Sequence, residues 1–457
     1  MGGARPWSAV LAALILAGAG LVTACRRDRP APAPAQGGAA AQRQLAAAEQ
    51  EALAFMPPGG TGPVDARVSR LQAEVRRAPG ASAFVALGRA WIQKARNAAN
   101  PGFYLNADAC AALALARDPE AAGAQALRAA VHLDAHRFEA ARAAAEDALR
   151  RAPDDLFALG VLADALLELG RYEDAATATQ RMMALKPSLP AYARASYLLW
   201  LRGRVAPALE AARRAIDAAG GADPEPRAWM IVQAATMFWH RGDLDGAEAG
   251  FDQALASLPG YPPALVGKGR VALARGDTRA AVELLAEAWR ASPHAEVAWL
   301  LGDARAAAGD AAGARAAYAE VERLGRAGEG RVLALFLATR GERVEEALQL
   351  AGAERQARPD VYSDDVYAWA LYRAGRLDEA RAASDRSLRL GTPDARLLYH
   401  AGAIRLAAGE RAAGLALVRR ALALNPGFDW FEATEAGRLV SRPSALHPDV
   451  TANKVIR

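Results

Sequence analysis

Cysteine is almost missing from this sequence: Cys25 and Cys110 are the only two thiols in 457 residues. A framework of disulfides is therefore excluded, and packing has to hold the fold. Aromatic residues are scarce as well, at 6% against 53% hydrophobic residues. That balance, with alanine and arginine dominating, suits closely approaching helices better than a β-sandwich. An excess of one charge is also lacking, since 56 Lys and Arg face 51 Asp and Glu for a net +5. The two signs are interleaved, as on a solvated helical surface, and no basic stripe with interleaved aromatics predicts nucleic-acid binding.

Catalytic patterns are missing too. The six histidines lack the spacing of a metal-binding helix, and His132 with His136 has neither a cysteine nor a suitably placed glutamate beside it. Gly267-Lys268-Gly269-Arg270 lacks the preceding strand and full glycine pattern of a phosphate loop. Acidic pairs such as Asp154-Asp155 and Asp364-Asp365 stand at segment boundaries, where helix capping accounts for them. The sequence therefore predicts no catalytic residue, no metal and no cofactor.

What is present begins at the N-terminus. Arg5 precedes an apolar stretch, Ala9 to Val22, that closes on Val22-Thr23-Ala24-Cys25. This is the layout of a secretory signal, and its end resembles the bacterial lipobox. The resemblance implies cleavage before Cys25 and a diacylglyceryl group on its thiol. Residues 1–24 are then a signal peptide. Arg26, Arg27 and Arg29 would lie beside anionic headgroups, and residues 25–40, with their alternating proline and alanine, form an extended spacer. The arginine after Cys25 points to the periplasmic face of the outer membrane. A helical segment is expected over 41–87, broken at Pro57-Pro58-Gly59-Gly60.

The rest repeats. Gly170-Arg171-Tyr172-Glu173-Asp174-Ala175 recurs in spirit at Gly242, Gly276 and Gly375, with weaker copies at Gly102, His136, Gly203, Gly309, Gly341 and Gly409, so that successive starts fall 32 to 39 residues apart. Prolines such as Pro153, Pro187, Pro259 and Pro293 follow seventeen residues after their starts. Glycine ends one helix at a tight turn, a carboxylate starts the next, and the alanine five places on is small because two helices cross there. The pattern resembles the tetratricopeptide repeat, whose period is about 34 residues. An all-α fold follows: a right-handed superhelical solenoid of about ten helix-turn-helix repeats over 88–427, with N-terminal helices, a capping helix at Phe428 to Leu439, and a tail ending the 428–457 segment. The longest interval contains Ala218 to Pro226, a lengthened turn between repeats.

In proteins that resemble this one, the first helix of each hairpin lines a concave wall. The resemblance places Phe157, Tyr197, Trp200, Trp229, Trp239, Trp299, Tyr362, Trp369, Tyr372 and Tyr399 at inward positions, with Arg194, Arg270, Arg331 and Arg373 near them. Such rings either fill core between repeats or form a trough for an extended or helical peptide. The lysine and asparagine pattern of a carboxylate clamp is missing. The expected function is a membrane-anchored, non-enzymatic scaffold for protein partners in the bacterial envelope. The alternative is an accessory that grips a small ligand or glycan. Cys25→Ala should abolish palmitate labelling in cells and leave precursor or misplaced protein; an unchanged label would contradict lipidation at Cys25.

Overall fold

A computed structural model describes residues 47–98, 100–221 and 223–441, so the signal segment, Cys25, the spacer and the end of the tail lie outside the described residues. Among the described residues the secondary structure is helical, with no strand. The described residues divide into two compact units, one up to residue 166 and one from residue 167 on.

In the first unit a helix at 47–54 and a second at Pro63–Arg77 precede the hairpins Ala81–Asn97 with Tyr104–Arg117 and Ala122–Asp134 with Phe138–Arg151. The first hairpin thus opens at Ala81, ahead of residue 88. The end of the 47–54 helix would leave carbonyls without partners. Trp91, fully buried, donates its indole N–H to the Ala54 carbonyl at 3.2 Å, and Gln72 donates to the Ala54 and Met56 carbonyls at 3.1 and 2.8 Å. Asn106 reaches the Leu53 carbonyl at 2.7 Å. The N-terminal helices are therefore tied to the first hairpin by side chains.

The second unit continues the pattern from Tyr172–Leu185 through Arg411–Leu424, and a last helix, Glu432–Ser441, packs on the final hairpin and starts a few residues later than the sequence suggests. The crossing alanines Ala175, Ala247, Ala281 and Ala380 are fully buried, as Ala107 and Ala141 are in the first unit. Asp243, Asp277 and Asp310 each accept a hydrogen bond from the amide three residues on, capping the second helix of their hairpins.

The turns between paired helices use the left-handed backbone that the sequence leads one to expect. Gly170 and Gly276 have φ of 66° and 77°, and His136 takes the same region at 55°. The two glycines differ in surroundings. A Cβ on Gly276 would meet nothing within 4 Å, whereas one on Gly170 would lie 2.5 Å from the Pro359 carbonyl oxygen. A later part of the chain is pressed against this turn. The Tyr172 hydroxyl accepts the Val361 amide at 2.9 Å, Thr392 donates to the Leu201 carbonyl at 2.8 Å, and Asn425 donates to the Trp239 carbonyl at 2.8 Å, across separations of 189, 191 and 186 residues. Arg358 and Glu168, both buried, pair at 3.4 Å along the same seam. Within this unit the array curls until its turns touch.

Gly276→Ala should cost about 1 kcal/mol, the strain of a left-handed alanine. Gly170→Ala should cost clearly more, because its methyl also displaces the Pro359 segment. Urea denaturation of both variants checks this, and equal losses would contradict the seam.

Candidate functional site

Most of the inward positions lie in the interior, and three keep partial access to solvent. Tyr197, Trp200, Trp239, Trp299, Trp369, Tyr372 and Tyr399 are buried, while Phe157, Trp229 and Tyr362 are half-buried. In the first unit Phe157 lies under the Arg89 guanidinium, 5.0 Å from its ring centre. In the second unit Trp229 packs beside Tyr192 and Ile216. Trp200 meets the His240 ring at 5.2 Å, and Trp299 sets its edge against Phe336 at 5.3 Å. Trp369 stacks between Tyr372 at 4.9 Å and His400 at 4.1 Å. These ring contacts run within a helix or between successive repeats, and across the seam Tyr197 and Tyr362 line one small cavity.

Two of the arginines near those rings are also engaged. Arg331 pairs with Asp360 at 3.1 Å, both buried, and Arg270 pairs with Glu296 while its guanidinium lies 5.3 Å from the Trp239 ring centre. The lipid-attachment residue Cys25 lies outside the described residues.

The most elaborate polar arrangement involves His400, Glu432 and Asp365; the sequence reads Asp364-Asp365 as a capping pair, but the helix is capped by Asp360 instead. His400 is fully buried, with Nδ1 2.9 Å from Asp365 and Nε2 3.0 Å from Glu432. Glu432 also accepts the Thr339 hydroxyl at 3.0 Å and faces Arg396 at 3.3 Å. Asp365, His400 and Glu432 stand 35 and 32 residues apart, close to one repeat each. The repeat period itself was the signal that could have found them.

Burial alone would push the imidazole pKa down, but the two carboxylates outweigh it and raise His400 to about 9. As an imidazolium it donates from both nitrogens, so it has no lone pair with which to act as a base. Cys110 is buried as well, and burial pushes its thiol up to about 12. A thiol held in that form is inert. Among the described residues no cluster of three or more His, Cys, Asp or Glu side chains is arranged to hold a metal ion. The arrangement can bind, brace and present surfaces; its interior charges brace the last hairpins.

The raised His400 pKa has a consequence for stability. Because the folded value exceeds the unfolded one of about 6.5, the imidazolium contributes stability that is complete below about pH 6.5 and is lost as pH rises through about 9. The loss should be on the order of 3 kcal/mol for the group. Urea midpoints measured from pH 6 to pH 10 should fall in wild type, and His400→Gln should flatten that dependence. A wild-type midpoint that stays level across this range would contradict a charged His400.

Comparison with known proteins gives a family. The tetratricopeptide repeat pattern matches residues 126–190 and 266–329. Similar solved structures include PilW, a type IV pilus biogenesis factor, at 20% identity over 44% of this chain and 92% of that one, with a TM-score of 0.37. Pseudomonas aeruginosa PilF aligns at 15% identity over 45% of this chain and 92% of that one, with a TM-score of 0.37. The human IFIT1 dimer with PPP-AAAA aligns at 14% identity over 83% and 94%, with a TM-score of 0.44. Among curated proteins no relative matches this sequence. With two stretches matching the repeat and the same pairing of helices carried through both units, the chain is a tetratricopeptide-repeat protein.

Proposed function

We propose that this protein is a lipid-tethered scaffold that holds protein partners in the bacterial cell envelope and carries out no catalysis of its own. Tetratricopeptide arrays serve as protein-interaction scaffolds, because stacked hairpins build extended binding surfaces. The observation that carries the reading is the state of the interior. Many of its carboxylates, guanidiniums and rings pair with one another, as Arg331 does with Asp360 and Trp369 with His400, so in this reading partner contacts fall to residues that solvent still reaches, Phe157, Trp229 and Tyr362 among them. Among the described residues no helix is long and apolar enough to cross a membrane. In this reading tethering depends on acyl chains at Cys25, with the body on the periplasmic face of the outer membrane. Two or three chains anchor stably where one binds only marginally.

One observation favours the alternative of a small-ligand or glycan accessory. A groove of about 430 Å³ runs between helices Val205–Asp217, Glu225–His240 and Leu244–Ser257. Its floor includes Leu209, Ile216, Ile231 and Phe238, and Glu210 and Arg213 line it as well. It lies beside the lengthened turn that joins the first two of these helices. Its size is that of a small-molecule site.

Affinity purification from crosslinked detergent extracts, followed by mass spectrometry, separates the two. A stoichiometric envelope protein should co-purify with wild type and be lost from the membrane fraction with Cys25→Ala. Recovery of the chain without such a protein, together with a rise in melting temperature on adding small glycans, would replace the scaffold reading with the alternative.

A further inference from the structure

We infer that Arg355, Arg386 and Arg389 form a preorganised docking site for an acidic segment of a protein partner. This deepens the scaffold reading, and rests on it, by giving the partner's chemistry.

The three side chains come from the end of helix Val344–Ala357, the end of helix Leu377–Ser387 and the loop after it. All three converge on one carboxylate. Asp364 Oδ1 accepts from Arg355 Nε at 2.8 Å and from Arg386 Nε at 3.0 Å, while Oδ2 accepts from Arg389 Nη1 at 2.8 Å. Asp364 is buried, with a side chain 3% exposed, but the guanidiniums above it are 35%, 40% and 32% exposed. Three positive charges therefore share one negative charge at a surface that water reaches.

Neighbouring acids are engaged with other cations. Glu354 and Glu168 share Arg358, Asp360 pairs with Arg331, Asp365 with His400 and Asp385 with Arg405. The geometry adds to the charge. Arg355 and Arg386 hold Asp364 through Nε, which leaves their terminal nitrogens as donors for another oxyanion, and guanidinium edges of this kind match carboxylates with two parallel hydrogen bonds. Arg389 is fixed further by donating to the Pro359 and Arg386 carbonyls at 3.2 and 2.7 Å, with its guanidinium 5.3 Å from the Tyr172 ring centre. Long side chains normally lose rotamer freedom on binding. Here the buried carboxylate has already fixed them. A pair of acidic side chains supplies the two negative charges that the cluster lacks, and Arg clusters are a recurring means of reading such motifs.

The test is fluorescence anisotropy of a labelled octaglutamate peptide with the purified chain at low and at high salt. Binding should appear at low salt and weaken as salt rises. Replacing the three arginines by glutamine together with Asp364→Asn removes the site without leaving a buried unpaired charge, and should weaken binding tenfold or more while the far-ultraviolet spectrum stays helical at the assay temperature. A control carrying Arg279→Gln, Arg323→Gln and Arg376→Gln removes three exposed arginines elsewhere and should bind as wild type does. No binding to wild type, or equal losses in both variants, would overturn the site. Failure to co-purify an envelope protein would overturn the scaffold reading without altering the peptide result.

Discussion

The second unit depends on contacts between turns about 190 residues apart in sequence. Carbonyls at the ends of first helices, on Leu201 and Trp239, receive side-chain hydrogen bonds from Thr392 and Asn425, which belong to much later repeats. A helix end buried without such partners would leave acceptors unsatisfied. The seam supplies them, and it can do so only because glycine at 203 and 242 lets the later backbone approach closely. A Cβ there would lie 2.8 Å from the Gly391 carbonyl oxygen and 3.0 Å from that of Leu424. A solenoid is ordinarily a one-dimensional stack in which each repeat meets only its neighbours. This unit adds a second set of contacts.

Closure changes what the inner wall is for. Rings that would line a trough are packed against one another, and carboxylates that would face water are buried beside cations. Removing one partner of such a pair leaves an uncompensated buried charge, which is far more costly than the pair itself is favourable. The network around His400 joins four helices: Thr339, Asp365, His400 and Glu432 each come from a different one. Glu432 stands at the start of the capping helix, so the same charges hold the cap on the final hairpin. Beside the seam, Arg355, Arg386 and Arg389 gather three positive charges on the one buried carboxylate of Asp364.

Local features were legible in the sequence because their causes are local. The turn glycines, the crossing alanines and the capping aspartates follow from the geometry of two helices and a tight turn, and His136 was identifiable as the residue standing where glycine recurs. Its φ of 55° shows the backbone held there without glycine. The start of the array at Ala81 was harder to place, because Ala81–Asn97 precedes the first turn and has no earlier copy to align with. For Tyr197, Trp200 and Trp369 the sequence left two readings, core or trough. Their register says which way they face, but whether they face solvent or one another depends on curvature accumulated over several repeats, and no single repeat encodes that.

The central claim is that the seam is closed, and the amide of Val361 tests it directly. It stands at the first position of its helix, where the amide has no acceptor within the helix, and its bond runs to the Tyr172 hydroxyl. Hydrogen exchange at this amide should be slow in the wild-type protein and should rise to the rate of an exposed helix start in Tyr172→Phe. Fast exchange at Val361 in the wild type, indistinguishable from the variant, would contradict a closed interior.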